Sequence, residues 1–232
     1  RAFAVYVGQQ LDITKYSTDP EAVRKATDRV ALLTPIAKAY LTDKALDAAL
    51  EAQMCFGGHG YIREWGMEQC IRDLRISQIY EGTNGVQAID LIGRKTTKCK
   101  GAYIAEYIAE IREFSQSLDD ALTIKKATLD TCQQLEDITN FIVEQSQVNP
   151  DFANSIAVDY LHAVGLLSFV YMYARISKAA ATKEESYFQN KLVLANYYIA
   201  KVLPDLSARI QRIQAGAELV MQLPEEYFTA QA

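Results

Sequence analysis

Residues 54–95 read MCFGGHGYIREWGMEQCIRDLRISQIYEGTNGVQAIDLIGRK, and this stretch decides how the rest of the chain is interpreted. It holds the single Trp of the chain, a Gly-rich turn (GGHG) at residues 57–60, and an acid, Glu81, that stands between a Tyr and a Gly. The sequence on either side of it has helical spacing. We therefore expect helices that lead into this stretch and helices that pack behind it.

The composition excludes several classes of protein. Half of the 232 residues are hydrophobic, which is enough for the core of one large or two small domains. The net charge is -5 and the basic residues are scattered, which argues against nucleic acid as a partner. The four Cys lie far apart without a paired His, so we expect no metal site, no disulfide framework and a reducing, cytoplasmic location. No apolar run of the roughly 18–20 residues of a membrane span was found, so we expect no membrane span.

The first part of the chain shows apolar residues at spacings of three and four. Pro20 follows Asp19 and is typical of a first helical position, whereas Pro35 is expected to kink or break the helix in which it lies. Residues 79–83 are predicted to form a turn. The expected helices of this part are residues 2–16, 20–56, 67–76 and 84–95.

The rest of the chain is predicted to form further helices, because no alternating strand pattern bounded by turn residues occurs. A turn is expected at residues 149–151, and a break near Pro204 within the last helical stretch, residues 184–221. The fold class predicted from the pattern is all-α. The apolar stripes expected to face each other are Tyr103, Tyr107, Ile111 and Phe114 on one helix, and Ile156, Tyr160, Val164, Leu167 and Tyr171 on another.

The GGHG turn has two interpretations. Gly reaches the left-handed backbone region at little cost, so the turn can simply end the preceding helix. Three Gly in four residues exceed what a helix end needs, which is consistent with close approach of the backbone to a ligand phosphate or ring. The pattern is neither a GxGxxG after a strand nor a P-loop. His59 lacks partners at ligand spacing and is read as a hydrogen-bonding surface residue.

Glu81 also has two interpretations. An acid just before a helix can favour the helix N-terminus electrostatically. Ile79 and Tyr80 beside it are apolar, however, and burial in such surroundings raises the pKa of a carboxylate, a property that suits a general base near neutral pH. Gly82 leaves room for a substrate. We therefore regard Glu81, expected at a partly buried turn, as a catalytic candidate.

Taken together, the ordered motifs GGHGY (residues 57–61), Arg72-Asp73 and IYEGT (residues 79–83) resemble the end of the flavin-dependent acyl-CoA dehydrogenases. The longer segments around these motifs, GGHGYIREWGMEQ and IYEGTNGVQAIDLIGRK, are similar to the larger bacterial members that carry an additional C-terminal helical domain. The resemblance implies that residues 1–96 belong to the C-terminal helical bundle of the acyl-CoA dehydrogenase fold. Residues 97–232 would form a second helical bundle.

The resemblance also implies what the parent enzyme does. Such an enzyme has an N-terminal helical domain and a middle β-domain before the bundle, and this chain would begin inside the bundle. It oxidises an acyl-CoA thioester to a trans-2-enoyl-CoA with FAD and passes the electrons to an electron-transfer flavoprotein. Because an additional domain of this kind occupies the surface that otherwise joins two dimers, a homodimer is expected. The fragment alone would be inactive.

The resemblance carries over to individual residues by position. Glu81 matches the base that removes the α-proton, and its N–H would help to hold the thioester carbonyl. The substrate-lining positions would be Tyr80 and Gly82. The FAD-contacting positions would be Thr83, Asn84 and Gly85, together with Gly57 and Gly58, which match a turn that meets the FAD of the neighbouring subunit.

The sequence departs from the family pattern at two positions. Many members carry Gln where Gly85 stands, so only backbone contact is available there. Many also carry Gln where Met54 stands, and here Gln53 lies one residue earlier. The expected adenosine contacts are therefore weakened, while the expected position of the base is unaffected.

Two other functions compete with this one. An acyl-CoA oxidase has the same fold, and oxygen reoxidises its flavin, so production of peroxide separates it from a dehydrogenase. A non-catalytic helical assembly module would bind no flavin. The sequence indicates neither the length nor the branching of the acyl chain, and a sulfur-containing acyl chain remains open.

Overall fold

The structure, a computed structural model, describes residues 1–120 and 122–228, without the side chains of residues 221 and 225. Within these ranges it contains helices and no strand, so the all-α prediction is confirmed. The helices are α1 (Ala2–Tyr16), α2 (Pro20–Phe56), α3 (Met67–Ser77), α4 (Asn84–Ile92), α5 (Ala102–Gln116), α6 (Thr123–Val148), α7 (Phe152–Ala180), α8 (Ser186–Tyr197), α9 (Asp205–Gln214) and α10 (Glu218–Met221). Short 3₁₀ turns lie at Gly57–Gly60, Arg63–Trp65 and Glu225–Phe228, and π-helical turns at Gly93–Thr97 and Tyr198–Val202.

α2 begins where the sequence predicts it. The side chain of Asp19 caps the helix by accepting a hydrogen bond from the Glu21 N–H at 3.0 Å, and Pro20 occupies the first helical position. The helix then continues through Pro35 without interruption, so the expected break is wrong. Pro35 is buried and lies between Leu33 and Ile36, which are both fully buried. The packing of these side chains outweighs the backbone bond that the proline removes.

Beyond α5 the chain turns at most of the predicted places. The Asn149 side chain accepts from the Asp151 N–H at 2.9 Å in the turn before α7. Pro204 stands between the π-helical turn and α9, so the break predicted near it is confirmed. The sequence missed a further break at Gly216, where a φ of 74° ends the helical run before α10.

α7 is the central helix of the fold. It packs against α2, α4, α6, α8 and α9, and residues on every side of it are buried. By length and composition alone α7 could cross a membrane, which was not expected from the sequence. Because 78% of its most apolar window is buried inside the chain, α7 matches the core helix of a globular protein.

The hydrophobic core runs across the predicted boundary at residues 96 and 97. Leu33 and Ile36 of α2 belong to the same buried cluster as Tyr107 of α5 and Tyr171 of α7. The two predicted stripes meet at Tyr171, whose ring lies 6.0 Å from that of Tyr107 and 5.5 Å from that of Phe114. The division into residues 1–96 and 97–232, which includes the undescribed positions 121 and 229–232, stays a prediction.

Gly165 sets the distance between α2 and α7, and Gly165→Ala is expected to destabilise the fold. A Cβ at this position would lie 2.5 Å from Cγ of Tyr40. The Tyr40 ring cannot move aside, because it is buried against Phe169 with ring centroids 5.0 Å apart. Overpacking of this kind costs about 1–3 kcal/mol and exceeds the gain in helix propensity. The free energy of unfolding in urea measures the loss.

Gly8→Ala is the matched control for this change. Gly8 also lies inside a helix, α1, and no atom lies within 4 Å of its added Cβ. The same substitution is expected to stabilise the chain there by roughly 0.5–1 kcal/mol, because Ala favours helix over Gly. Equal changes in the free energy of unfolding of Gly8→Ala and Gly165→Ala would contradict the close approach of Tyr40 to Gly165.

Candidate active-site turn

The predicted catalytic acid lies in the short connection between α3 and α4. Its backbone is unusual, because Glu81 has a φ of 55° and Gly82 a φ of 82°. The left-handed region is uncommon for a residue other than Gly and occurs where surrounding structure determines it. Here the Gln87 side chain donates from Nε2 to the Glu81 carbonyl at 2.9 Å, and Thr83 caps α4 by accepting from the Val86 N–H.

The structure corrects one expectation about Glu81. The residue is exposed rather than partly buried, and its apolar neighbours Ile79 and Tyr80 are exposed as well. Within this chain the surroundings of Glu81 are therefore open to solvent. The sequence pattern showed which residues surround Glu81 but not whether this chain encloses them.

The turn presents free backbone donors. Among the described residues, none accepts a hydrogen bond from the N–H groups of Glu81, Gly82 and Thr83. The next N–H, that of Asn84, is used inside the chain and donates to the Gln78 carbonyl at 3.1 Å. Exposed donors beside a carboxylate can hold a carbonyl oxygen on which negative charge develops while the carboxylate removes a proton.

Asn84 has a structural role that the sequence did not reveal. Its Nδ2 donates to Thr42 Oγ1 at 3.0 Å and to Asp43 Oδ1 at 2.6 Å. Its Oδ1 accepts from Lys38 Nζ at 2.7 Å. Desolvation lowers the pKa of Lys38, while the charges of Asp43 and Glu81 oppose this shift. The Asn84 side chain is thus engaged with α2 and its backbone N–H with Gln78, so both are already used inside the chain.

Most of the GGHG turn is explained by the chain itself. Gly57 ends α2 with a φ of 58°, which favours glycine. Gly60 is buried at the end of the same helix, where a Cβ would lie 2.7 Å from the Gln53 carbonyl oxygen. Gln53, the residue beside Met54, also donates from Nε2 to the Gly60 carbonyl at 3.1 Å. Gly58 has neither a positive φ nor a close neighbour: apart from the adjoining backbone, no atom of the described residues lies within 4 Å of its Cβ position.

The surface around both motifs is exposed and apolar. The segments that carry it pack against one another: α2 contacts the 3₁₀ turn at Gly57–Gly60, α3 and α4, and the two 3₁₀ turns near α3 contact each other. Exposed apolar side chains gathered on segments that contact one another are typical of a contact site. Its large exposed side chains are Met54, Phe56, Tyr61, Ile62, Trp65, Ile76, Ile79, Tyr80, Val86 and Ile89.

A separate cavity of about 510 Å³ lies between α1, α7 and α8. It is lined by Phe3, Phe169, Tyr187 and neighbouring residues rather than by the predicted site residues. Its lining also includes Arg1 and Ala2, the first residues of the chain. We assign no role to it.

Two family models match the sequence. The one described as "Acyl-CoA dehydrogenase, C-terminal domain" matches residues 18–96, and the one described as "Acetyl-CoA dehydrogenase C-terminal like" matches residues 107–224. The first contains the GGHG turn and Glu81, and the second contains α7.

Two bacterial relatives are similar over most of the chain. A butyryl-CoA dehydrogenase of Syntrophomonas wolfei is 26% identical over 94% of the chain, and a 3-methylmercaptopropionyl-CoA dehydrogenase of Ruegeria pomeroyi is 29% identical over 92%. The chain spans only 37% and 38% of their lengths.

Two solved structures share the fold. ACDH-11 of Caenorhabditis elegans, in complex with C11-CoA, superposes with a TM-score of 0.72 and 20% identity. An acyl-CoA dehydrogenase of Bacillus anthracis, complexed with FAD, gives 0.59 and 18%. The match covers 94% and 91% of this chain and 37% and 40% of those chains.

Proposed function

Because the chain belongs to the acyl-CoA dehydrogenase family, we propose that it is the C-terminal part of an enzyme that oxidises an acyl-CoA thioester to a trans-2-enoyl-CoA. The observation that carries the proposal is the turn between α3 and α4. It presents one exposed carboxylate, Glu81, next to three backbone N–H groups without an acceptor among the described residues. Proton abstraction next to a polarised carbonyl needs this combination of groups.

Glu81 is assigned the role of the base that removes the α-proton of the thioester. Its own N–H holds the thioester carbonyl and stabilises the negative charge that develops as the proton leaves. Tyr80 and Gly82 line the substrate side, and both are exposed in this chain.

The residues assigned to FAD fit one side of such a cofactor. Gly58 is open, and Gly57 beside it is exposed and has nothing near its Cβ position. Thr83, Asn84 and Gly85 form the N-terminus of α4, where backbone N–H groups favour an anionic ligand. FAD, when bound, accepts the β-hydrogen as hydride. An electron-transfer flavoprotein is proposed as the electron acceptor of the reduced enzyme.

Further domains of the same enzyme are proposed to cover the exposed apolar surface. The relatives are more than twice as long as this chain, since it spans 37% and 38% of them. Enclosure by those domains would give Glu81 the apolar surroundings that this chain lacks, so the fragment alone is expected to be inactive. A cytoplasmic homodimer is the proposed form of the whole enzyme.

The test is anaerobic mixing of the intact, flavin-loaded enzyme with butyryl-CoA and, separately, 3-methylmercaptopropionyl-CoA. These thioesters are chosen from the names of the two relatives. Bleaching of the oxidised flavin and formation of the enoyl-CoA are the expected results. If air rapidly reoxidised the reduced flavin with formation of stoichiometric peroxide, the enzyme would be an oxidase instead. If the intact protein held no flavin, the non-catalytic assembly module would be the remaining function.

A further inference from the structure

The carboxylate of Asp43 joins three helical elements. Its Oδ1 accepts from Asn84 Nδ2 and from Gln78 Nε2, both at 2.6 Å. Its Oδ2 lies 2.9 Å from His162 Nε2. Asp43 belongs to α2 and His162 to α7, so one side chain connects the turn, the long second helix and the central helix.

The two partners of Oδ1 are the residues that flank the Glu81 turn. Gln78 follows the last residue of α3, and Asn84 is the first residue of α4. The backbone closes the turn at the same place, because the Asn84 N–H donates to the Gln78 carbonyl. Residues 79–83 between them are exposed. One oxygen atom therefore holds both ends of the segment that carries Glu81.

His162 is placed to orient this carboxylate. The residue is only 7% exposed, and its ring makes a T-shaped contact with that of Tyr40, with centroids 5.3 Å apart at 84°. Its Nδ1 is buried and has no hydrogen-bond partner among the described atoms. The contact with Asp43 is thus the one polar interaction that the structure gives this ring, and packing fixes its direction.

Asp43 has the charge state that this arrangement needs. Partial burial raises the pKa of its carboxyl group, but the hydrogen bonds from His162, Asn84 and Gln78 together outweigh burial and lower the pKa below its usual value. An ionised carboxylate is an acceptor on both oxygens, and its hydrogen bonds are stronger than those of a neutral group.

We propose that Asp43 and His162 are positioning residues for the base: Asp43 clamps the ends of the Glu81 turn, and His162 orients Asp43. The inference rests on the proposed role of Glu81 and adds that α7, outside residues 1–96, takes part in the geometry of the site. A shift of about 1 Å at a reacting group can cost roughly 10²-fold in rate, so a loosened turn has a measurable effect.

Three variants separate the hydrogen bond from the fold. His162→Phe keeps a ring against Tyr40 and removes the donor to Asp43. His162→Gln keeps an amide donor with similar reach. Tyr160→Phe is the matched control, because it removes a buried hydrogen bond of 3.0 Å between the same helix and Thr139, and Asp43 is not part of that bond.

Kinetics of the intact, flavin-loaded enzyme are the first readout. His162→Phe is expected to lower the rate of flavin bleaching at saturating acyl-CoA by about 10–100-fold, with a smaller change in KM. His162→Gln should recover the rate to within a few-fold of wild type, and Tyr160→Phe should match wild type. A wild-type rate in His162→Phe, or no recovery in His162→Gln, would overturn the proposal.

Amide hydrogen exchange in the 232-residue chain is the second readout and needs no catalysis. The Asn84 amide is expected to exchange at least about tenfold faster in His162→Phe than in wild type or Tyr160→Phe, because its turn is no longer clamped. Unchanged exchange in His162→Phe would overturn the clamp. If wild-type enzyme failed to bleach with any acyl-CoA, the proposed function would fail, while the exchange data would still decide on the clamp.

Discussion

Glu81→Gln is expected to remove most flavin reduction by acyl-CoA in the intact, flavin-loaded enzyme and to leave the fold, the FAD content and acyl-CoA binding unchanged. Glutamine has nearly the shape of glutamate, and the turn holds residue 81 by its backbone, through the 2.9 Å bond from Gln87. A neutral amide is not a useful base. General-base catalysis typically contributes about 10²–10⁴-fold to the rate, so the anaerobic bleaching rate should fall by at least about 10²-fold.

Glu64→Gln is the matched control for this substitution. Glu64 is an exposed acid in the 3₁₀ turn Arg63–Trp65, which precedes α3 in the sequence, as the GGHG turn does. Glu64→Gln removes the same charge from a different exposed segment without changing the Glu81 turn, so its bleaching rate should remain close to wild type. If Glu81→Gln bleached as fast as Glu64→Gln, another group would be the base, although the fold would be unaffected.

The sequence predicted those features that depend on neighbouring residues. The start of α2 follows from Asp19 and Pro20, whose cap and fixed φ act within one helical turn. The apolar spacing of α7 predicted buried residues such as Tyr160 and Val164 in the same way. The ordered GGHGY and IYEGT motifs indicated the family, because their combination is specific even though each is short.

The features that it did not predict depend on residues far apart in the chain. Pro35 was expected to kink or break α2, and the break did not occur because burial against other helices keeps the helix continuous. The contact between Asp43 and His162 spans 119 positions and leaves no local pattern. The exposure of Glu81 was missed for a related reason, since apolar neighbours in the sequence do not show whether the same chain buries them.

Glu110 of α5 holds a buried cation, and its loss is expected to destabilise the chain strongly. Its Oε2 lies 2.6 Å from the guanidinium of Arg29, which is only 7% exposed. Its Oε1 accepts from the hydroxyls of Tyr6 at 2.6 Å and Tyr171 at 3.0 Å. Burial, together with the nearby Tyr107 and Glu110, raises the pKa of the Tyr6 hydroxyl. The hydroxyl therefore keeps its proton and donates it in the hydrogen bond to Glu110. The Glu110 side chain therefore connects α5 with α1, α2 and α7 through Tyr6, Arg29 and Tyr171.

Glu110→Leu is expected to lower the free energy of unfolding by about 3 kcal/mol. Arg29 cannot lose its proton, so the substitution leaves a buried guanidinium without its counter-charge, a change that typically costs 3–5 kcal/mol. The lower end applies because the Glu110 side chain is 34% exposed and water can reach part of the site. Urea unfolding of the chain at neutral pH measures the loss from the shift in midpoint.

Two comparisons show whether the cost comes from the buried charge. Glu106 lies one turn before Glu110 on α5 and pairs with Arg24 of α2 at 3.2 Å, with side chains 43% and 46% exposed. Glu106→Leu should therefore cost less than about 1 kcal/mol. Combining Arg29→Met with Glu110→Leu should restore most of the lost stability, because an apolar pair of similar volume replaces a buried ion pair at little cost. A double variant as unstable as Glu110→Leu alone would mean that the loss arises from the tyrosine hydroxyls or from packing rather than from the unpaired Arg29.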